Sequence, residues 1–275
     1  MLISEIFGFG VDNQSPEARS SRSQKRCPFR STACTKASKS DPIGICSLSD
    51  GNEAASLCPV RFLEGGKVFR DAAHIAFGEG AEIAVFPEIR ILKVVQEGQK
   101  TRKIGKVDFL IGKIESDRVA DFAAIEVQAV YFSGGETRSP MKHYLQHGTL
   151  DIANSDRRPD FRSSAQKRLA PQLQLKVPVF RRWGKKFFVV VDSHFFASLP
   201  SFKSTTASNS EVTWLSYPIA KSGDDYTLGA ANVVYSEWDE IQTSLREGTP
   251  PEPADIILEL QTKLDSKKPP LRIKS

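Results

Sequence analysis

Asp108, Glu126 and Gln128 fall in two alternating stretches, Lys106-Val-Asp-Phe-Leu-Ile-Gly112 and Ala124-Ile-Glu-Val-Gln-Ala-Val130. Residues two apart on a strand share a face, so Glu126 and Gln128 project together while Ile125 and Val127 turn the other way. If Asp108 lies on the adjacent strand, its carboxylate approaches Glu126, and the pair forms an oxygen site suited to Mg²⁺. Such a metal holds a phosphate oxygen, lowers the pKa of its bound water and stabilises charge on a leaving oxygen. Solvent-facing acids on an alternating strand are the competing reading, since that pattern is common in folds with no catalytic task.

A second set of residues with chemistry in them lies upstream. Cys27, Cys34, Cys46 and Cys58 are the only cysteines and fall within one 32-residue window. Four thiolates are what a tetrahedral structural metal needs, and such a knot can order a segment poor in apolar residues. The intervening segments of 6, 11 and 11 residues contain no C-x-x-C knuckle, so clustering rather than a known spacing carries this inference. Two disulfides and four unrelated buried thiols are the alternatives. The expected compartment opposes disulfides: the N-terminus has no basic leader and carries Glu5 in its apolar stretch, so a cytoplasmic protein is expected. No apolar run approaches the ~20 residues needed to span a bilayer, so no membrane partner is expected.

Charge narrows the partner. The net charge is +5 and the isoelectric point about 9.0, but position says more than the sum. Arg19, Arg22, Lys25, Arg26, Arg30, Lys36 and Lys39 surround the first thiols. Arg157, Arg158, Arg162, Lys167 and Arg168 form a second cluster, and Arg181, Arg182, Lys185 and Lys186 a third, while Glu211 to Glu259 turns acidic. A chain basic on one side suits a polyanion such as double-stranded DNA; solvated faces are the bland account of any one cluster. Phe161, Phe180 and Trp183 lie among these cations, where core packing competes with base stacking. His143 and His147 share a helical face, and a metal pair competes there with polar surface or phosphate contact.

The elements that must position these residues follow from periodicity. At 275 residues, 40% hydrophobic and 26% charged, the chain can bury a sizeable core. Residues 1–65 read as a loop-rich, four-cysteine module broken by Asp41-Pro42, Asp50-Gly51-Asn52 and Gly65-Gly66, and 66–275 as a second domain. Lys67 to Phe77 has helical spacing, Ile83 to Val94 is extended, and Val107 to Ile114 and Val119 to Val130 form a hairpin through Glu115-Ser-Asp-Arg118. Helices are expected over Met141 to Asn154, over Asp160 to Phe180 with a break at Pro171, over Glu237 to Glu247 and over Ala254 to Leu264. Strands are expected at Phe187 to Val191, Val212 to Tyr217 and Leu228 to Tyr235, with a Ser- and Thr-rich loop between Ser201 and Ser210. The order implies an α/β fold, a mixed sheet flanked by helices.

The carboxylate arrangement resembles the PD-(D/E)XK nuclease signature, with glutamine in place of its lysine. Ile3-Ser-Glu-Ile-Phe-Gly8, Cys27-Pro-Phe29, Cys34-Thr-Lys36, Gly44-Ile-Cys46 and Cys58-Pro-Val-Arg61 resemble the NotI restriction endonuclease family, as does the E-x-Q of Glu126-Val-Gln128. The motifs cover residues 1 to about 135. The resemblance implies a type II restriction endonuclease that hydrolyses double-stranded DNA at a specific site with Mg²⁺, acting as a homodimer on a palindrome. It assigns Cys27, Cys34, Cys46 and Cys58 to a structural iron, with zinc as the alternative, Asp108 and Glu126 to Mg²⁺, and Gln128 to the attacking water. Glu88 is a candidate auxiliary carboxylate, with an exposed strand glutamate as its alternative reading. A non-catalytic metal-thiolate DNA-binding protein, and a less specific repair or phage nuclease of this fold, are the competing functions.

Overall fold

The computed structural model of the chain describes residues 2–36, 41–94, 102–133, 138–148, 158–246, 251–266, 270–271 and 273. Residues Met1 to Leu245 form one compact unit and Arg246 to Ser275 a second.

The N-terminal segment is more ordered than its composition suggests. Strands β1 (Leu2–Ile6), β2 (Phe9–Gly10), β3 (Ile45–Ser49) and β4 (Ala54–Ser56) form an antiparallel sheet in the order β2-β1-β3-β4. Helix α1 (Pro16–Ser23) is capped by Ser15, whose hydroxyl accepts from the Ala18 N–H. The expectation of loops is corrected here, and the reason lies in residue size. Every residue of β3 and β4 is buried, yet most are serine, alanine or cysteine, and Ser4 and Ser47 bond each other across the sheet at 2.8 Å. Small side chains let the backbones close up without the large apolar residues that mark a strand in sequence.

Helix α2 (Lys67–Phe77) matches its expected bounds and buries Val68, Ala72 and Ala73. It lies on one face of the central sheet, whose six strands are β5 (Ile83–Val94), β6 (Arg102–Glu115), β7 (Arg118–Val127), β8 (Phe187–Asp192), β9 (Val212–Tyr217) and β10 (Asn232–Ser236). Their order is β10-β9-β8-β7-β6-β5. Strands β5, β6 and β7 form an antiparallel meander, β7, β8 and β9 run parallel, and β10 returns antiparallel. All six residues of β8 and of β9 are buried, as parallel strands covered on both faces require.

Helix α3 (Arg138–His147) begins before its expected start, and residues 149–154 of that expectation lie outside the described residues. The next helical stretch breaks near Pro171, but by insertion rather than a kink. A short α turn at Phe161–Ser164 passes into a π-helical turn, Ala165–Leu169, and then into α4 (Ala170–Trp183), where Pro171 occupies the first turn. Gly184, with φ of 62°, ends α4 in the left-handed conformation. Leu169, Leu173, Val177 and Phe180 pack on the sheet face opposite α2, in one cluster with Ile6, Phe7, Ile45 and Leu57, so the core runs on through residue 65. The expected strand over Leu228 to Tyr235 is two strands, because Asp225–Leu228 pairs with Ile219–Ser222 whereas β10 pairs with β9. Helix α5 (Trp238–Arg246) closes the first unit. Helix α6 (Pro253–Leu264) buries no residue, and no helix among those described is long and apolar enough to cross a membrane.

Candidate active site

Strands β6 and β7 pair with Phe109 opposite Ile125 and Leu110 opposite Ala124. One step further brings Asp108 level with Glu126, the juxtaposition that the alternating pattern implies. The Val127 N–H donates to Asp108 Oδ2 at 2.9 Å and fastens that carboxylate across the strands. Glu126 pairs in register with Val189 of β8, and Gln128 follows the end of β7, its N–H held by the Val190 carbonyl at 2.9 Å. The Gln128 amide nitrogen donates to the Ala129 carbonyl at 2.6 Å. Asp108, Glu126 and Gln128 line one cleft of about 610 Å³ together with Lys36, Lys167, Arg168 and Gln172. A slightly larger cleft of about 660 Å³, walled by Asp12, Asp50, Lys221 and Asp224, holds none of the expected site residues.

The cleft is electrostatically loaded. Glu126 is 4% exposed, and burial together with the Asp108 charge pushes its carboxyl up to about 7 against the pull of Lys176. Burial also raises Asp108, opposed by the Val127 N–H and by Lys176. The Lys176 ammonium, 1% exposed on α4, donates to Glu126 Oε1 at 2.6 Å. Glu126 Oε2 is buried with no hydrogen-bond partner. A buried carboxylate oxygen without a donor costs the desolvation of that atom, and two carboxylates side by side repel; a cation relieves both. Asp108 and Glu126 therefore fit a divalent metal chemically, although no group of three or more His, Cys, Asp or Glu among the described residues stands ready to hold one.

The four cysteines are brought together. Cys27, Cys34, Cys46 and Cys58 line a single small cavity of about 10 Å³, with Phe7, Phe29, Lys36, Gly44 and Ile45 completing the wall. None forms a disulfide. Burial raises the thiols of Cys27, Cys34 and Cys46, and the Cys58 thiol raises all three further. Gly44 has φ of 75° and its α-carbon faces the Phe7 ring, so a side chain there would collide with the wall. Four sulfurs are the donor set of a soft or borderline metal, but no group of three or more cysteines among the described residues is placed to hold one. Lys36 belongs to both cavities: it also lines the carboxylate cleft, and its ammonium donates to the Leu57 carbonyl, one residue before Cys58.

Other expected residues are placed apart. The Glu88 side chain is 70% exposed and ion-pairs with Lys106 at 2.8 Å, outside the cleft lining. His143 and His147 stack at 4.3 Å between ring centroids on an exposed face, also outside that lining. Of the basic clusters, Lys167 and Arg168 face the cleft, whereas Arg181 pairs with Glu211 at 2.6 Å and Lys185 with Asp121 at 2.5 Å. Lys39 and Arg157 lie outside the described residues. Phe180 is fully buried and Phe161 packs on Phe195, so these two rings serve the core.

Lys176 is the site residue that sequence reasoning missed. Its signal was present: Leu169, Leu173, Val177 and Phe180 recur at helical spacing, and a lysine on that stripe requires a buried anion. A comparison with curated proteins found no match. A family model described as restriction endonuclease NotI matches residues 11–228, a span that takes in the four cysteines, both carboxylates, Gln128 and Lys176. The chain belongs to the NotI restriction endonuclease family, and that membership implies a DNA-cutting hydrolase.

Proposed function

We propose that this chain is a type II restriction endonuclease that hydrolyses phosphodiester bonds of double-stranded DNA at a specific site, with Mg²⁺. The observation that carries the reading is the sharing of one cleft by Asp108, Glu126, Gln128 and three cations, Lys36, Lys167 and Arg168. The acids face the reacting phosphate; the cations bind the backbone on either side of it. A PD-(D/E)XK core is the fold in which this reading places them. Asp108 and Glu126 would hold the metal, which would polarise a phosphate oxygen and acidify a water. Gln128, whose nitrogen is engaged by the Ala129 carbonyl, offers its amide oxygen to orient the attacking water. Being neutral, it adds no charge at the phosphorus. Cleavage leaves 5′-phosphate and 3′-hydroxyl ends. Glu88, paired to Lys106, enters no step.

The cysteine cavity is read as a structural metal centre, iron ahead of zinc, that orders the segment 1–65 and with it Lys36. Its enclosure by all four thiols supports this. A homodimer with one cleft per strand matches a palindromic target, and a prokaryotic cytoplasm is where a restriction endonuclease meets its DNA. Digestion of plasmid DNA tests the reading. Discrete fragments in Mg²⁺ and none in its absence are expected; a smear removes site specificity, and intact plasmid removes the enzyme. Metal content and visible absorbance of the purified protein distinguish iron from colourless zinc, and light scattering measures the dimer.

A further inference from the structure

The pair Lys176–Glu126 is unlike an ordinary buried ion pair. Among the described residues, Glu126 is the only hydrogen-bond partner of the Lys176 ammonium, and Glu126 offers it one oxygen while the other has none. Replacing a buried ion pair by well-packed apolar residues is often neutral or stabilising, so stability is a weak reason for the arrangement. The helix is also shaped to deliver it. The π-helical turn Ala165–Leu169 inserts a residue ahead of α4; without it the helix beyond would turn by about 100°, carrying Lys176 off the face that meets the sheet. Lys176 is thus held under the carboxylate cleft by the segment that also contributes Lys167, Arg168 and Gln172 to its wall.

We propose that Lys176 is a positioning residue of the cleavage site: by occupying Oε1 of Glu126 it leaves Oε2 as the one oxygen for the metal, and it supplies the positive charge that Gln128 does not. The cation reaches the site from the helix layer rather than from the strand that bears Glu126 and Gln128. Lys176 touches neither phosphate nor water in this role and acts through Glu126. This rests on the nuclease reading above.

The test uses the full-length protein with its thiolate metal in place. Wild type, Lys176→Met, Lys176→Gln and the double variant Lys176→Met/Gln128→Lys are compared. Four quantities are read: single-turnover cleavage of plasmid sites mapped with wild type, DNA affinity in Ca²⁺, Mn²⁺ affinity by calorimetry, and thermal melting. Lys176→Met is expected to cut on the order of 100-fold more slowly, with DNA affinity within about twofold of wild type. It should bind Mn²⁺ as tightly as wild type or more so, since a neighbouring positive charge has been removed. Gln128→Lys in that background should recover at least about tenfold, because it returns a cation to the pair. A purely structural lysine would lower melting, Mn²⁺ binding and DNA binding together, with no recovery from Gln128→Lys. Should Lys176→Met fail to fold, Lys176→Gln keeps a donor to Oε1 without charge, and the same slowing is expected. Either variant cutting within about threefold of wild type overturns the proposal and leaves the nuclease reading intact. A wild-type protein that cuts no DNA overturns both.

Discussion

Two carboxylates are buried deep in this molecule against a cation, and they are finished differently. Glu5 on β1 meets Arg61 at 2.9 Å with both side chains fully buried, and its second oxygen also accepts from the Ser47 hydroxyl at 2.5 Å. Arg61 spends its remaining donors on Glu64 at 2.5 Å and the Tyr226 carbonyl at 2.7 Å, and lies over the Phe29 ring. Each guanidinium nitrogen has a partner, and three segments of the chain are tied together by it. Glu126 meets a lysine instead, a point charge with one bond, and keeps an oxygen without a donor on a cleft wall. A saturated pair holds structure. Of the two carboxylates, only Glu126 lines the cleft with an oxygen that lacks a donor, which is the arrangement the proposed metal site uses.

The two pairs should therefore differ, when broken, in what happens to cleavage. Glu126→Ala is expected to lower cleavage on the order of 10³-fold or more while leaving DNA binding by the folded protein close to wild type, and to lower melting because Lys176 is left buried without its partner. Gel shifts in Ca²⁺ beside plasmid digestion in Mg²⁺ measure this, and an active Glu126→Ala protein would sink the site assignment. Arg61→Ala should cost about 3–5 kcal/mol in urea unfolding because Glu5 is left buried and charged, but any residual folded protein should cut normally. Cys46→Ser is expected to release the bound metal and cost about 2–4 kcal/mol by freeing the segment that Arg61 and the thiols share. Metal analysis with melting reads it, and a metal-free yet fully stable variant would return the cysteines to coincidence.

Smaller effects sharpen the comparison. Gln128→Ala should slow cleavage roughly tenfold without abolishing it, because an orienting amide contributes less than a metal ligand. The least effect concerns Asp192, a third buried carboxylate, which ends β8 and accepts from the Ser56 and Phe195 N–H groups at 3.0 and 2.8 Å. Burial lifts it from 3.8 to about 6. A raised carboxyl contributes stability fully below its unfolded pKa and loses it as pH rises through the folded value. Unfolding free energy should accordingly decline between about pH 4 and pH 7 by an amount that Asp192→Asn removes. An unchanged profile in that variant would assign the decline elsewhere.

Much of this was legible in the residues. The α2 helix shows its apolar spacing plainly, and β6 to β9 show alternation or unbroken apolar runs, because these elements bury apolar side chains, whereas β5 carries apolar residues and buries none. Asp108, Glu126 and Gln128 could be brought together on paper because a strand has period two and a hairpin fixes the partner strand. The N-terminal sheet escaped notice because its buried residues are small and polar, satisfied by partners such as Ser4 for Ser47 that lie 43 positions apart. The third basic cluster was partly misread for the same reason: Glu211 and Asp121, which neutralise Arg181 and Lys185, are brought there by folding.

The amino-acid sequence alone determined the α/β class, the adjacency of the two acids, the clustering of four thiols and the family. Those properties depend on local period and on residues near one another along the chain. Only the tertiary structure decided that Lys176, 50 positions from Glu126, is its partner, that Lys36 lines both cavities, and that Glu88 stands outside the cleft. The inserted π turn sets the helix phase and the layer packing sets the depth, and neither leaves a local pattern, because a side chain's role here is fixed by which oxygen it meets across the core.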